Sequence, residues 1–175
     1  MGKNESKKQT KRLKAPKAGP KLRSARNISK PETELIARGA VIRNGQVLLC
    51  QSVKHEYFYL PGGHVEFGES ASVAAEREIE EELGVKVRAG ALALVSEGMF
   101  SAKRRHHEVN LVFYIEHPSP WPKGLSKPKS REGHIAFRWV ELAAAQDLDI
   151  RPTAVKAWLA TGLGDDGIEW VSEIQ

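Results

Sequence analysis

Residues 63–85, GHVEFGESASVAAEREIEEELGV, run from a glycine-led turn into a stretch whose aliphatic and acidic residues both recur at helical spacing. At about 100° per residue, Glu78, Glu81 and Glu82 fall on one stripe, and Ala75, Ile79 and Leu83 fall on the neighbouring one. A helix patterned this way packs its aliphatic side inward and holds three carboxylates at the rim of the same core. Like charges at i,i+3 and i,i+4 weaken a helix by about 0.2–0.5 kcal/mol per pair, and by more in a cleft of lower dielectric. A hard divalent cation offsets that repulsion. Mg²⁺ suits the task because it favours oxygen ligands and completes its shell with waters and substrate phosphate oxygens. Taken alone, the three glutamates also fit a solvated acidic helix surface.

The flanks give the helix its ends. Gly62 and Gly63 permit a tight turn and close backbone approach after a preceding strand, so that a carbonyl can reach a metal. Ser70 is a candidate N-cap, Gly84 stands where a left-handed C-terminal residue belongs, and Val85 resumes an extended chain.

Gly63, Glu69, Arg77, Glu78, Ile79, Glu81, Glu82, Gly84 and Val85 fit the pattern G-x5-E-x7-R-E-U-x-E-E-x-G-U, with U a bulky aliphatic, without a mismatch. This run resembles the signature box of the Nudix hydrolase family, and Leu60-Pro61-Gly62 is similar to that family's usual lead-in. The resemblance implies an α/β fold, an α/β/α sandwich with a mixed β-sheet. It also implies an enzyme, a nucleotide pyrophosphohydrolase that uses Mg²⁺, with Mn²⁺ as an alternative ion. Its substrate would be a nucleoside diphosphate linked to another group.

By the same resemblance, Glu78 and Glu82 are the principal metal ligands and Glu81 is a ligand or the partner of a metal-bound water. The Gly62 carbonyl is a further oxygen ligand, and Arg77 and Glu69 hold the carboxylates in place. The general base stays open among Glu81, Glu78 and Glu108. HHEVNLVFY, which contains Glu108, resembles the strand after the box in many members, where a glutamate can approach the metals. Glu97 competes for that role, and an ordinary surface glutamate is the third reading. Hydrolysis of a phosphoanhydride needs charge neutralisation on non-bridging oxygens, an activated water in line, and a stabilised leaving phosphate, which fits a metal held by carboxylates.

Outside the box, Leu35–Ile42 and Gln46–Val53 flank Asn44-Gly45, a strong hairpin signal. Tyr57–Leu60 reads as a short strand, followed beyond the helix by strands at Val85–Val95, Glu108–Glu116 and Ile135–Val140. Glu141–Asp147 and Pro152–Ala160 read as helical. Residues 118–133, dense in Pro, Gly and Lys, read as a long surface loop, either a plain connection or a substrate lid bearing Trp121 and Lys127.

Charge divides the chain of 175 residues. Residues 1–30 hold eleven Lys or Arg against the single acid Glu5, whereas residues 31–175 hold sixteen basic and twenty-one acidic residues. A net +5 is therefore a +10 tail on a domain near −5. Such a tail cannot bury enough apolar surface to offset chain ordering, so residues 1–33 are expected to be disordered and residues 34–175 to form the domain. The tail is either a solubilising arm or an electrostatic attachment to RNA or another anionic surface. Met1-Gly2-Lys3-Asn4-Glu5-Ser6 also fits a short N-myristoylation pattern at Gly2.

No run is apolar enough for a secretory signal or a membrane span, which points to a soluble, cytoplasmic protein. The single cysteine, Cys50, agrees, and within Val47-Leu48-Leu49-Cys50 it reads as a buried small hydrophobe. Adjacent His106 and His107 face opposite ways in a strand and have no further Cys or His at ligand spacing, which argues against zinc. Arg104 and Arg105 are either solvated or a clasp for a terminal phosphate. His55, Tyr57, Phe58, Phe100 and Trp139 are candidates to stack on a base, or core aromatics. Two rival functions remain: a nucleotide-binding sensor tethered by its tail, and a hydrolase of RNA 5′ ends.

Overall fold

The computed structural model describes residues 32–101, 105–116, 122–161, 163 and 167–174. The expectations for the basic tail, for Gly2, for Arg104 and for Trp121 lie outside the described residues, as do those for the side chains of Phe100 and Arg105.

Two sheets meet along the chain that precedes the box. In the first, β1 (Glu32–Ala40) is antiparallel to β5 (Gly62–His64) and parallel to β7 (Arg105–Ile115). β6 (Ala89–Ser101) is antiparallel to β7 and parallel to the edge strand β9 (Glu169–Ser172), giving the order β5-β1-β7-β6-β9. In the second, β3 (Gln46–Ser52) pairs antiparallel with β2 (Ile42–Arg43), β4 (Phe58–Tyr59) and β8 (Ile135–Glu141).

The expected hairpin is present, but between shorter partners. Asn44 and Gly45 both take positive φ, 52° and 77°, and join β2 to β3. β1 belongs to the other sheet and starts at Glu32, ahead of the expected Leu35, because Glu32, Thr33 and Glu34 pair with His106, His107 and Glu108. Val41, fully buried, is where the chain crosses between sheets, its carbonyl accepting from Leu48 N at 2.9 Å. β3 is buried on both sides: Val47 and Leu49 join one core cluster, and Leu48 joins another.

Helices cover both faces of the five-stranded sheet. α1 (Ala71–Leu83) starts at Ser70, whose Oγ accepts from Val73 N, and stops at Gly84, at φ 70° with its N–H on Glu80 O. Its Ala74 and Ala75 pack with Ala37, and its Ile79 lies so near Gly39 that a Cβ there would stand 2.5 Å from Ile79 Cδ1. α3 (Thr153–Ala160) sets Val155, Trp158 and Leu159 against Leu94 and Val112, which occupy the opposite face. The result is the α/β/α sandwich with a mixed sheet.

Two local expectations are corrected, and the helical reading of residues 141–147 is met in a tighter form. Gly62–His64 forms a strand, since β1 offers it an unpaired edge. Residues 142–147 form a 3₁₀ helix (Leu142–Asp147). The supposed surface loop contains α2 (Lys123–Ser126), whose Leu125 is fully buried and whose Leu125 O accepts from Trp139 Nε1 at 2.8 Å. Trp139 therefore serves packing. Among the described residues no helix is long and apolar enough to cross a membrane.

Ile79 carries the contact of α1 with the sheet. Ile79→Ala should lower unfolding free energy by about 2–5 kcal/mol, whereas Val73→Ala, half exposed on the same helix, should change it by less than about 0.5 kcal/mol. Urea unfolding followed by circular dichroism checks the pair, and equal effects would contradict this packing.

Candidate active site

Two glycines let the helix carboxylates reach the sheet. At Gly62 φ is 131°, and a Cβ would collide with the carbonyl of Ala37 on β1. At Gly63 a Cβ would stand 2.5 Å from Glu78 Cδ, so the Glu78 carboxylate lies directly on the backbone of β5. The Gly62 N–H donates to Glu82 Oε2 at 3.3 Å, and the Gly62 carbonyl accepts from Arg38 Nη1 at 2.9 Å. Arg38 Nη1 also donates to Leu60 O at 3.1 Å, so one guanidinium fixes the strand on both sides of Pro61.

Arg77 gathers the acids. Its Nε and Nη2 donate to Glu69 Oε1 and Oε2 at 2.9 and 3.0 Å, a bidentate pair, and Nη2 also donates to His64 O at 3.1 Å. Its Nη1 donates to Glu78 Oε1 at 2.9 Å and stands 3.4 Å from both oxygens of Glu81. The bond to Glu69 comes first in raising the Arg77 pKa, and the same bond holds the Glu69 carboxyl below its usual range. Glu81 is 55% exposed and forms the solvent side of the group.

Glu82 is the exception on this helix face, with only 4% of its surface exposed. Burial, above all, pushes its pKa up from 4.5 to about 8, with Glu78 and Glu132 adding like charge, while Arg38 and the Gly62 N–H pull the other way. Cys50 Sγ lies 4.0 Å from Glu82 Oε2, and burial followed by that carboxylate raises the thiol pKa well above its ordinary value, which makes Cys50 a packed residue and no nucleophile. A buried carboxylate that its neighbours only half compensate, beside a second carboxylate, makes an all-oxygen donor set that fits a hard divalent cation.

The expected residues are not all in one place. Glu69, Arg77, Glu78 and Glu81 meet through the guanidinium, and Gly62 and Glu82 meet through the backbone N–H. Glu108 stands apart, across β7 from Gly98 and Glu34, with its Oε2 accepting from Asn110 Nδ2 at 3.2 Å. Strand register puts it on the face shared by Ile36, Arg38, Ser96 and Asn110, away from α1. Glu97, on the α1 face, is bonded to His107 Nε2 at 3.3 Å and to Ser172 Oγ at 2.8 Å.

Four residues at or near the site escaped sequence reading. Arg38 had a signal, a lone charge inside the apolar strand LIARGAVI. Glu132 had none: it belongs to the chain between α2 and β8, brought to α1 by the bond from Arg131 N to Glu82 O at 2.8 Å. Among the described residues, Ser96 Oγ and Asn110 Oδ1, on side chains 1% exposed, and Arg38 Nε have no hydrogen-bond partner. Tyr59 lies 5.4 Å beneath Arg38, and Tyr57 lies 4.5 Å beneath Arg151.

Glu82 also sets a pH dependence. Its folded pKa, about 8, exceeds its ordinary 4.5, so its contribution to stability is complete below about pH 4.5 and is lost as pH rises through 8. In EDTA, wild-type unfolding free energy should fall between pH 5 and pH 9, by at most about 5 kcal/mol, and Glu82→Gln should flatten that fall. Identical slopes for the two proteins in urea titrations would contradict the assignment.

Comparison with known proteins agrees with the geometry. The NUDIX domain family model matches residues 33–159. The 8-oxo-dGTP diphosphatase of Haemophilus influenzae is 32% identical over 124 residues, covering 66% of this chain and 82% of that protein. A provisionally named 8-oxo-dGTP diphosphatase 2 of Mycobacterium tuberculosis is 30% identical over 131 residues, covering 73% and 86% respectively. The crystal structure of the MutT protein of Methanosarcina mazei shares the fold, with a TM-score of 0.58 at 18% identity over 76% of this chain and 94% of that one. With the box intact, its carboxylates assembled and the match spanning β1 to α3, the chain belongs to the Nudix hydrolase family, enzymes that cleave pyrophosphate bonds.

Proposed function

We propose that this chain is a Mg²⁺-dependent pyrophosphohydrolase of a nucleoside diphosphate linked to a further group, with an oxidised purine nucleoside triphosphate as the first substrate to test. The support for that substrate is the name carried by its curated relatives in two bacteria. The observation that carries the chemistry is the buried Glu82 carboxylate at the Gly62 N–H, with Glu78 seated on Gly63 beside it.

Glu78 and Glu82 would hold the ion, with Glu81 on its solvent side. Bound there, Mg²⁺ supplies neutralisation of the non-bridging phosphate oxygens and of the leaving phosphate. Arg77, committed to Glu69, Glu78 and His64 O, keeps the carboxylates fixed and is a positioning residue. Water attacks phosphorus, the anhydride P–O bond breaks toward the leaving phosphate, and a carboxylate takes the water proton. The proton acceptor is one of Glu78, Glu81 and Glu108, of which Glu108 accepts from Asn110 Nδ2 on the other face of the sheet.

Hydrolysis of a nucleotide panel, with and without Mg²⁺, tests this directly. Glu82→Gln should reduce kcat by about 10²-fold or more with the fold retained. Arg77→Lys, which loses the bidentate grip on Glu69, should cost about 10- to 100-fold in kcat or in Mg²⁺ affinity. Tight nucleotide binding without turnover by the wild type would overturn the enzyme reading in favour of a sensor.

A further inference from the structure

Three side chains of the kinds that can hold a metal, Glu32, Glu34 and His106, lie together outside the site described above, with the 68% exposed His64 at their edge. β1 and β7 run parallel in the register Glu32 to His106 and Glu34 to Glu108, which puts Glu32, Glu34 and His106 on one face of adjoining strands. β5 adds His64, paired with Ile36 on the same face. His106 Nδ1 lies 2.7 Å from Glu34 Oε1, and His64 Nε2 lies 3.8 Å from Glu34 Oε2. One donor atom from each of Glu32, Glu34 and His106 lies within 4.8 Å of the other two. The Glu34 and His106 side chains are only 20% and 23% exposed.

We propose, against the sequence expectation that His106 lacks zinc partners, that Glu32, Glu34, His64 and His106, brought to one face by strand pairing, bind a transition-metal ion of the Zn²⁺ class at the start of β1. Carboxylates alone would suit Mg²⁺ or Ca²⁺, whereas two imidazoles with two carboxylates suit a borderline ion. A tetrahedral ion with bonds of about 2.0–2.2 Å needs donors about 3.3–3.6 Å apart, between the 2.7 Å of His106–Glu34 and the 3.8 Å of His64–Glu34. Paired strands fix the backbone positions of all four residues.

This ion is separate from the one expected at α1. Ile36 and His64 face away from α1, whereas Ala37 and Gly63 face it. The two sites are joined through β5, because His64 places its imidazole in the proposed site and its carbonyl on Arg77 Nη2. An ion here ties β5, β1 and β7 together behind the segment on which Arg77 and Glu78 rest.

Calorimetric titration of Zn²⁺ into the full chain in excess Mg²⁺ tests the assignment, alongside the visible absorption of Co²⁺ added in its place. Wild type should bind one ion that raises its Tm, and His106→Ala and the isosteric Glu34→Gln should each weaken binding by more than about tenfold. Glu82→Gln should bind Zn²⁺ as wild type does even where hydrolysis is lost, so failure of this proposal and failure of the proposed activity are read separately. No Zn²⁺ binding by wild type, binding unchanged in folded Glu34→Gln, or binding lost in Glu82→Gln would each overturn it.

Discussion

The site depends on one cation placed among acids. Glu69, Glu78 and Glu81 cannot share one end of α1 and the adjoining loop without a counter-charge, and Arg77 supplies it through a planar fork that bonds two carboxylates and a strand carbonyl while standing 3.4 Å from the third. A lysine could neutralise one of these groups but could not orient three. The guanidinium therefore does more than reduce repulsion, because it converts flexible glutamates into donors of fixed direction. Fixed donors bind a metal without reorganising.

Glu82 is handled differently. It is buried, receives one backbone N–H, and lies within the field of Arg38 without a direct ion pair to it. Its carboxylate is thus left short of compensation, which favours the neutral acid in the metal-free protein. A divalent ion bound there would reverse that preference by giving the charged form a partner, which would make metal binding and proton release at Glu82 one linked equilibrium. Glycine at 62 and 63 is the geometric condition for this coupling, since a methyl group at either position would push the strand from β1 or the helix from the strand.

Local chemistry explains what could be read in advance. The cap at Ser70, the stop at Gly84, the turn at Asn44-Gly45 and the acidic stripe of α1 are all set by residues within a few positions of one another. What could not be read is non-local. Gly62–His64 becomes a strand only because β1 has a free edge, and β1 joins that sheet only because the chain crosses over at Val41. Arg38 and Gly62 are 24 residues apart, and Glu34 and His106 are 72 apart. Glu108 had a suggestive neighbourhood in sequence, but strand alternation turned it to the face opposite α1, and a one-residue difference in parity decided that.

That parity divides the work of the sheet between its faces. The face toward α1 meets the carboxylates that would hold the metal, while the other face carries Arg38, Ser96 and Asn110 with buried polar atoms that lack partners. A buried polar atom that nothing satisfies costs about 1–3 kcal/mol, so water or a ligand on this face would be stabilised by these three. Arg38 spans the two halves: its Nη1 holds the Leu60 and Gly62 carbonyls beside Glu82, and its guanidinium lies over the Tyr59 ring at 5.4 Å. A ligand that supplied an acceptor to Nε and donors to Ser96 and Asn110 would remove the cost.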